Sequence, residues 1–108
     1  MTKVKSIYTK KFSQIQELQE PEIINYCLLI TEEKNFTVYG IEVSSHFEKQ
    51  SEKKDKIKVK AISCSEEFVL DIIKYLYENS IKPDTTKCII QDIISKYTLS
   101  DENELHFS

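Results

Sequence analysis

The chain has 108 residues, of which 40% are hydrophobic and 31% charged, with a formal charge of −3 and a pI of about 5.4. This balance predicts a single domain with one core and argues against a dedicated binder of polyanions. All fifteen basic residues are lysine and the only glycine is Gly40, so there is no arginine fork and no glycine-rich phosphate loop. These absences exclude the commonest nucleotide-binding enzymes and weaken the case for sequence-specific DNA recognition.

Charge is distributed in alternating blocks. Residues 1–12 carry four lysines and no acid, and residues 49–60 carry six lysines and two acids. Residues 13–48 carry seven acids and one lysine, and residues 61–108 carry nine acids and four lysines. Such blocks favour a dipolar surface, on which the two basic segments would form one patch if they met in the fold.

The first half of the chain has the alternation that predicts β-strands. Residues 4–12 alternate between two faces, and residues 56–63 alternate apolar side chains with lysine. Residues 23–30 are continuously apolar, which is typical of a central strand or one covered on both faces. Residues 36–44 are rich in β-branched and aromatic side chains and follow a turn at residues 31–35. We expect four strands, with the second and third forming an antiparallel hairpin.

Gly40 lies inside the third predicted strand. A glycine in a strand interior commonly marks a bulge or a close approach of backbone or an aromatic ring. We expect a packing role of this kind; the alternative is a close approach by a ligand.

The sequence changes to a helical period after residue 63. Ser63 or Ser65 can cap the helix, and Ser63 with Glu66 matches a capping box. Apolar residues recur every three or four positions over residues 68–76, which predicts one amphipathic helix. Asn79 can take the left-handed conformation that ends such a helix.

A second helix is predicted over residues 86–97. Asp84 or Thr85 is expected to cap it, after the connection that ends at Pro83. Residues 98–108 follow as an acidic tail.

Together these elements predict an α+β fold, in which two C-terminal helices pack on one face of a mostly antiparallel sheet of about four strands. We expect one domain over residues 1–108, with a folded core at residues 1–97. The side chains expected to face inward are Ile24, Tyr26, Leu28, Ile30, Tyr39, Ile41, Val43, Ile57, Val59, Phe68, Ile72, Leu76, Ile89, Ile93 and Ile94.

Residues with catalytic chemistry are few and dispersed. His46 lies in a predicted charged loop and His106 in the tail, so we do not expect them to meet. Cys27, Cys64 and Cys88 show no CxxC spacing and are expected to be buried free thiols in a reducing compartment, since a three-thiolate metal site would lack a fourth ligand. We assign no catalytic, cofactor-binding or metal-ligating residue.

Glu42 is the carboxylate whose position stands out, because it lies on a well-formed strand beside Gly40. We expect an exposed cross-strand pair with a lysine. Acid–base chemistry is the alternative.

Lysines on the first and fourth strands are the best candidate for an interaction surface. If these two strands are neighbours, Lys3, Lys5, Lys58 and Lys60 would project together and attract a polyanion or an acidic protein. The alternative is a solvated face whose lysines discourage aggregation of sheet edges.

The two helices also resemble a helix-turn-helix. In that interpretation the second helix would present Thr85, Thr86, Lys87 and Gln91 to DNA bases. The helix carries little positive charge, and two amphipathic helices packed on a sheet explain the same residues.

Several segments resemble a family of small proteins from clostridia and their relatives, known only as a domain of unknown function. The resemblance spans about residues 22–97, and the segments that carry it are Tyr39-Gly40-Ile41-Glu42-Val43, Ile62-Ser63, Lys82-Pro83 and Asp92-Ile93-Ile94. It implies a bacterial, intracellular accessory protein, and it implies no activity or catalytic residue.

We therefore expect a non-enzymatic interaction or regulatory module that binds another protein or itself. A small DNA-binding protein of winged-helix type is the alternative, and an enzyme comes third. The N-terminal residues lack the apolar region of a signal peptide and no segment approaches 18 apolar residues, which predicts a cytoplasmic protein without a membrane partner. We expect no cofactor.

Overall fold

The fold is a four-stranded antiparallel sheet followed by two helices, as the sequence predicts. A computed structural model describes residues 2–12, 21–47 and 55–104. The strands lie side by side in chain order, and each pairs with the next in antiparallel orientation. The elements are β1 (Thr2–Phe12), β2 (Glu22–Glu32), β3 (Thr37–Phe47), β4 (Asp55–Ser63), α1 (Glu66–Glu78) and α2 (Pro83–Glu104).

The core lies between the helices and one face of the sheet. Every side chain expected to face inward is either buried there or packed against it, so that prediction is confirmed. Val69, Ile73 and Ile90 are also buried in this core and were not in the predicted set. The fully buried apolar side chains of β2 and β3 on this face are Ile24, Tyr26, Leu28, Ile41 and Val43.

The opposite face of the sheet also contains buried residues. Leu29 is 1% exposed and Cys27 is 7% exposed. Their neighbours on β3, Gly40 and Glu42, are buried as well. The continuously apolar run of β2 therefore belongs to a strand that is both central in the sheet and buried on both faces, so both features that its composition favours are present.

Gly40 provides room for a bulge in β4. Tyr39 pairs with Ser63 and Ile41 pairs with Val59, so the single residue Gly40 faces three residues of β4. A Cβ at position 40 would lie against the carbonyl oxygens of Val59 and Lys60 and 2.6 Å from the Lys60 carbonyl carbon. The packing role expected for this glycine is confirmed.

Local side-chain and backbone hydrogen bonds define both ends of α1. Ser65, and not Ser63, is the N-cap, and its hydroxyl accepts a hydrogen bond from the Phe68 amide at 3.2 Å. At the other end Ser80 has the left-handed conformation, with φ of 53°, whereas Asn79 has φ of −98°. The expectation for Asn79 was therefore wrong by one residue. The Ile81 amide donates to the Leu76 carbonyl at 2.9 Å, which completes a Schellman motif.

Lys10 of β1 supplies the positive charge that the last turn of α1 lacks. Its ammonium group donates to the Tyr77 carbonyl at 2.6 Å and to the Ser80 hydroxyl at 2.9 Å. No basic residue of α1 itself lies in that turn. A cation at a helix C-terminus is stabilising, so Lys10 ties the edge strand β1 to the end of the helix.

The second helix is longer than predicted at both ends. It begins at Pro83, whose fixed φ and missing amide hydrogen suit the first helical position. It continues to Glu104, so residues 98–104 of the predicted acidic tail are helical, and residues 105–108 lie outside the described part of the chain. No helix within the described ranges is long and apolar enough to cross a membrane.

Candidate functional site

The four candidate lysines do not form one surface. β1 and β4 are the two opposite edges of the sheet, so the condition that would bring Lys3 and Lys5 together with Lys58 and Lys60 is not met. Lys3 and Lys5 share the face of Leu28, whereas Lys58 is paired with Glu42 on the opposite face. Lysines on both edge strands agree with the alternative interpretation, in which they discourage edge-to-edge pairing.

Glu42 forms the cross-strand pair that was expected, but it is not exposed. Its carboxylate lies 3.7 Å from the Lys58 ammonium group, and the side chain of Glu42 is only 6% exposed. The expectation of an exposed pair was therefore wrong about the environment and right about the partner. The strand pattern gave no signal for this burial, because it depends on the packing over the sheet.

The other groups with catalytic chemistry remain dispersed. His46 is a half-buried residue of β3 and not part of a loop, while His106 lies outside the described residues. Cys27 is buried as expected, but Cys64 and Cys88 are exposed free thiols, which corrects the prediction for these two. The described residues contain no group of three or more His, Cys, Asp or Glu residues that could hold a metal ion.

The residues proposed to contact DNA are only partly available. Thr86 is fully buried, and its hydroxyl donates to the Lys82 carbonyl at 2.7 Å. It cannot contact a base in this conformation, which corrects that assignment. Thr85, Lys87 and Gln91 are exposed near the start of α2.

A cluster of tyrosines joins β1, β2 and the end of α1. The rings of Tyr8 and Tyr77 stack with centroids 4.4 Å apart, and Tyr26 meets Tyr77 edge-on at 5.9 Å. The hydroxyl of Tyr26 donates to the Ile81 carbonyl at 2.9 Å. Burial, with smaller contributions from Glu22 and Tyr77, raises the pKa of Tyr26 from 10.0 to about 12. A neutral, hydrogen-bonded tyrosine of this kind anchors the connection between the helices.

This raised pKa predicts how stability depends on alkaline pH. The folded state keeps the Tyr26 proton until about pH 12, whereas the unfolded chain loses it near pH 10. The stability contributed by the retained proton is therefore complete below pH 10 and declines between about pH 10 and 12.

We expect Tyr26→Phe to be less stable than the wild type by about 1 kcal/mol at pH 8, because it loses a hydrogen bond, and this difference in stability should narrow above pH 10. Urea unfolding of both proteins from pH 8 to 11.5 measures it. A difference that stays constant or widens above pH 10 would contradict the assignment.

The two helices line an open groove. The helices pack against the sheet more extensively than against each other, which leaves a space of about 460 Å³ between them. We call this space the helical groove. It is lined by Phe68, Asp71, Ile72 and Tyr75 of α1 and by Ile89, Asp92, Ile93 and Lys96 of α2.

Apolar side chains form most of the groove, and charged groups line its rim. Tyr75 is 46% exposed, although it belongs to an amphipathic helix with a well-packed inner face. Asp92 pairs with Lys96 along α2 at 3.2 Å. Asp71 is exposed on α1 and has no ion-pair or hydrogen-bond partner in the part of the chain that the structure describes.

Four of the lining residues were predicted to belong to the core, and the groove was not predicted. Phe68, Ile72, Ile89 and Ile93 are indeed packed against the core. Tyr75, which flanks the apolar face of α1, was the available signal, because a tyrosine beside such a face extends it toward solvent. The groove itself depends on the spacing of the two helices, which no periodicity specifies.

A family model described as Family of unknown function (DUF6514) matches residues 5–96, and the chain therefore belongs to this family. The match begins in β1 and reaches Lys96, so it extends closer to the N-terminus than the resemblance noted in the sequence. No curated protein and no solved structure matches the chain significantly. The clostridial source that the resemblance implies stays a prediction.

Proposed function

We propose that this member of the family is a non-enzymatic interaction module that binds an amphipathic helix of another protein in the helical groove. One observation carries the proposal: an apolar groove of about 460 Å³ opens to solvent between two helices that are each fixed to the sheet. Groove volumes of this size are typical of sites that accept several buried apolar groups.

The lining residues form one row on each of the two helices. Phe68, Ile72 and Tyr75 are four and three residues apart on α1, and Ile89, Ile93 and Lys96 have the same spacing on α2. Each row covers about two helical turns, or roughly 10 Å along the axis. A third helix in the groove would contribute residues at i, i+3 or i+4 and i+7, which is the usual pattern of helix-in-groove recognition.

The charges of the groove favour a protein ligand over a nucleic acid. Two carboxylates and one ammonium group lie on its rim, and one carboxylate is already paired. A phosphate backbone would meet repulsion there, whereas DNA-binding surfaces are strongly basic. The exposed charges in the first turns of α2 are Asp84 and Lys87, which balance each other. The start of this helix is therefore not a basic surface, and its charges do not favour the DNA-binding alternative.

Replacing Tyr75 with alanine tests this function. The probe is a displayed library of 16-residue amphipathic helices with leucine at i, i+3 or i+4 and i+7 and all other positions varied. We expect the wild-type protein to retain library members, and we expect Tyr75→Ala to weaken the binding of a selected peptide about ten-fold, because an exposed aromatic anchor is removed. Isothermal titration calorimetry measures the affinities.

Phe36→Ala is the matched control. Phe36 is 55% exposed in the turn between β2 and β3 and does not line the groove, so its loss should leave the affinity unchanged. Equal effects of the two variants would contradict the proposed site. If only extended peptides are selected, the groove does not bind a helix. If sedimentation velocity shows a dimer at micromolar concentration that Tyr75→Ala dissociates, the groove is occupied by a second copy of the chain and not by a helical partner.

A further inference from the structure

Asp71 is a carboxylate of the helical groove that has no partner among the described residues. It lies on α1 between Phe68 and Tyr75, and its side chain is exposed. The carboxylate on the other wall, Asp92, is held by Lys96 at 3.2 Å. The two walls therefore differ: α2 carries an internally neutralised pair, and α1 carries a charge without a partner among the described residues.

We propose that Asp71 determines the specificity of the groove by pairing with a lysine or arginine that flanks the apolar stripe of the bound helix. This inference rests on the proposed function. A helix seated on the apolar residues places its flanking positions over the groove rim, within reach of a carboxylate one turn from Tyr75. Its arrival also removes water from around Asp71, which strengthens a charge pair at that position.

Charge complementarity selects a basic partner and rejects an acidic one. A lysine or arginine beside the stripe gains an ion pair with Asp71, whereas a glutamate at the same position meets the like charge in a partly dehydrated site. For a pair that is still partly exposed, the expected contribution is a two- to five-fold change in affinity, and the effect should decrease as salt is added.

Selection from the same peptide library tests the inference, with Asp71→Asn and Glu33→Gln as the variants. Glu33 lies in the exposed turn between β2 and β3, so its replacement changes the net charge equally but leaves the groove unaltered. We expect the wild type and Glu33→Gln to enrich lysine or arginine at one flanking position. Asp71→Asn should retain the apolar stripe and lose that enrichment.

A double-mutant cycle on one selected peptide gives the decisive result. Asp71→Asn and a basic-to-glutamine change in the peptide should each weaken binding two- to five-fold, and the combination should weaken it no further than either change alone. Enrichment of the same basic residue by Asp71→Asn, or independent effects in the cycle, would overturn the role of Asp71 while leaving the helical groove in place. Failure of the wild type to retain any helix would overturn the proposed function and this inference with it.

Discussion

Replacing Gly40 with alanine is expected to destabilise the protein by about 3 kcal/mol. The added methyl would meet the main-chain carbonyls of Val59 and Lys60, and backbone atoms cannot move aside as a flexible side chain can. Either the bulge in β4 or the pairing of β3 with β4 would have to change. Urea unfolding followed by circular dichroism measures the loss as a lower midpoint.

Ala61→Val is the matched control for Gly40→Ala. Ala61 belongs to the same bulge of β4 but is exposed, so its larger side chain should change the free energy of unfolding by no more than about 0.5 kcal/mol. If Gly40→Ala is as stable as the wild type, then β4 does not approach β3 as closely as described.

Replacing Lys10 with methionine is expected to destabilise the protein by about 2 kcal/mol. The change removes charge-assisted hydrogen bonds to the Tyr77 carbonyl and the Ser80 hydroxyl, and it also removes a cation that lies 4.6 Å from the centre of the Tyr77 ring. Because Lys10 holds β1 against α1, amide hydrogen exchange should also become faster in β1 than in the pairing of β2 with β3.

Lys5→Met distinguishes this role from a general effect of charge. Lys5 lies on the same strand and is exposed, so its loss should change stability by no more than about 0.5 kcal/mol. Equal losses from Lys5→Met and Lys10→Met in urea unfolding would show that the contacts at the end of α1 are not stabilising.

Most of the fold could be predicted because its signals are local. The β-branched and aromatic residues of 36–44 indicate a strand, and the three- or four-residue spacing of apolar side chains in residues 68–76 indicates a helix. The structure contains both elements. The pairing of β2 with β3 followed from the short turn between them. The role of Gly40 was predictable because a glycine inside a strand usually marks a bulge or a close approach of another backbone.

Features that depend on tertiary arrangement were not predictable in the same way. The lysine surface required β1 and β4 to be neighbours, and alternation within a strand carries no information on strand order. The burial of Glu42 and of Thr86 depends on what packs over them, which the sequence around each residue does not specify. Pro83 was assigned to the connection, although proline is favoured at the first helical position.

The candidate site was the least predictable part of the molecule. Its apolar residues could be assigned to the inner faces of two helices, and this assignment was correct as far as it went. Whether such residues are sealed in the core or remain open in a groove depends on the distance between the helices. That distance is set by how each helix packs on the sheet and not by the pattern of either one.

Isoleucine methyl spectra test the central claim most directly, because isoleucines occur both in the helical groove and on the strands. The isoleucine methyl groups of the protein are labelled, and a peptide selected from the helical library is titrated into it. We expect the signals of Ile72, Ile89 and Ile93 to shift and those of Ile7 and Ile57, which lie on the two edge strands, to stay in place. Shifts confined to Ile7 or Ile57 would contradict the account, since binding would then occur at the lysine-bearing edges of the sheet.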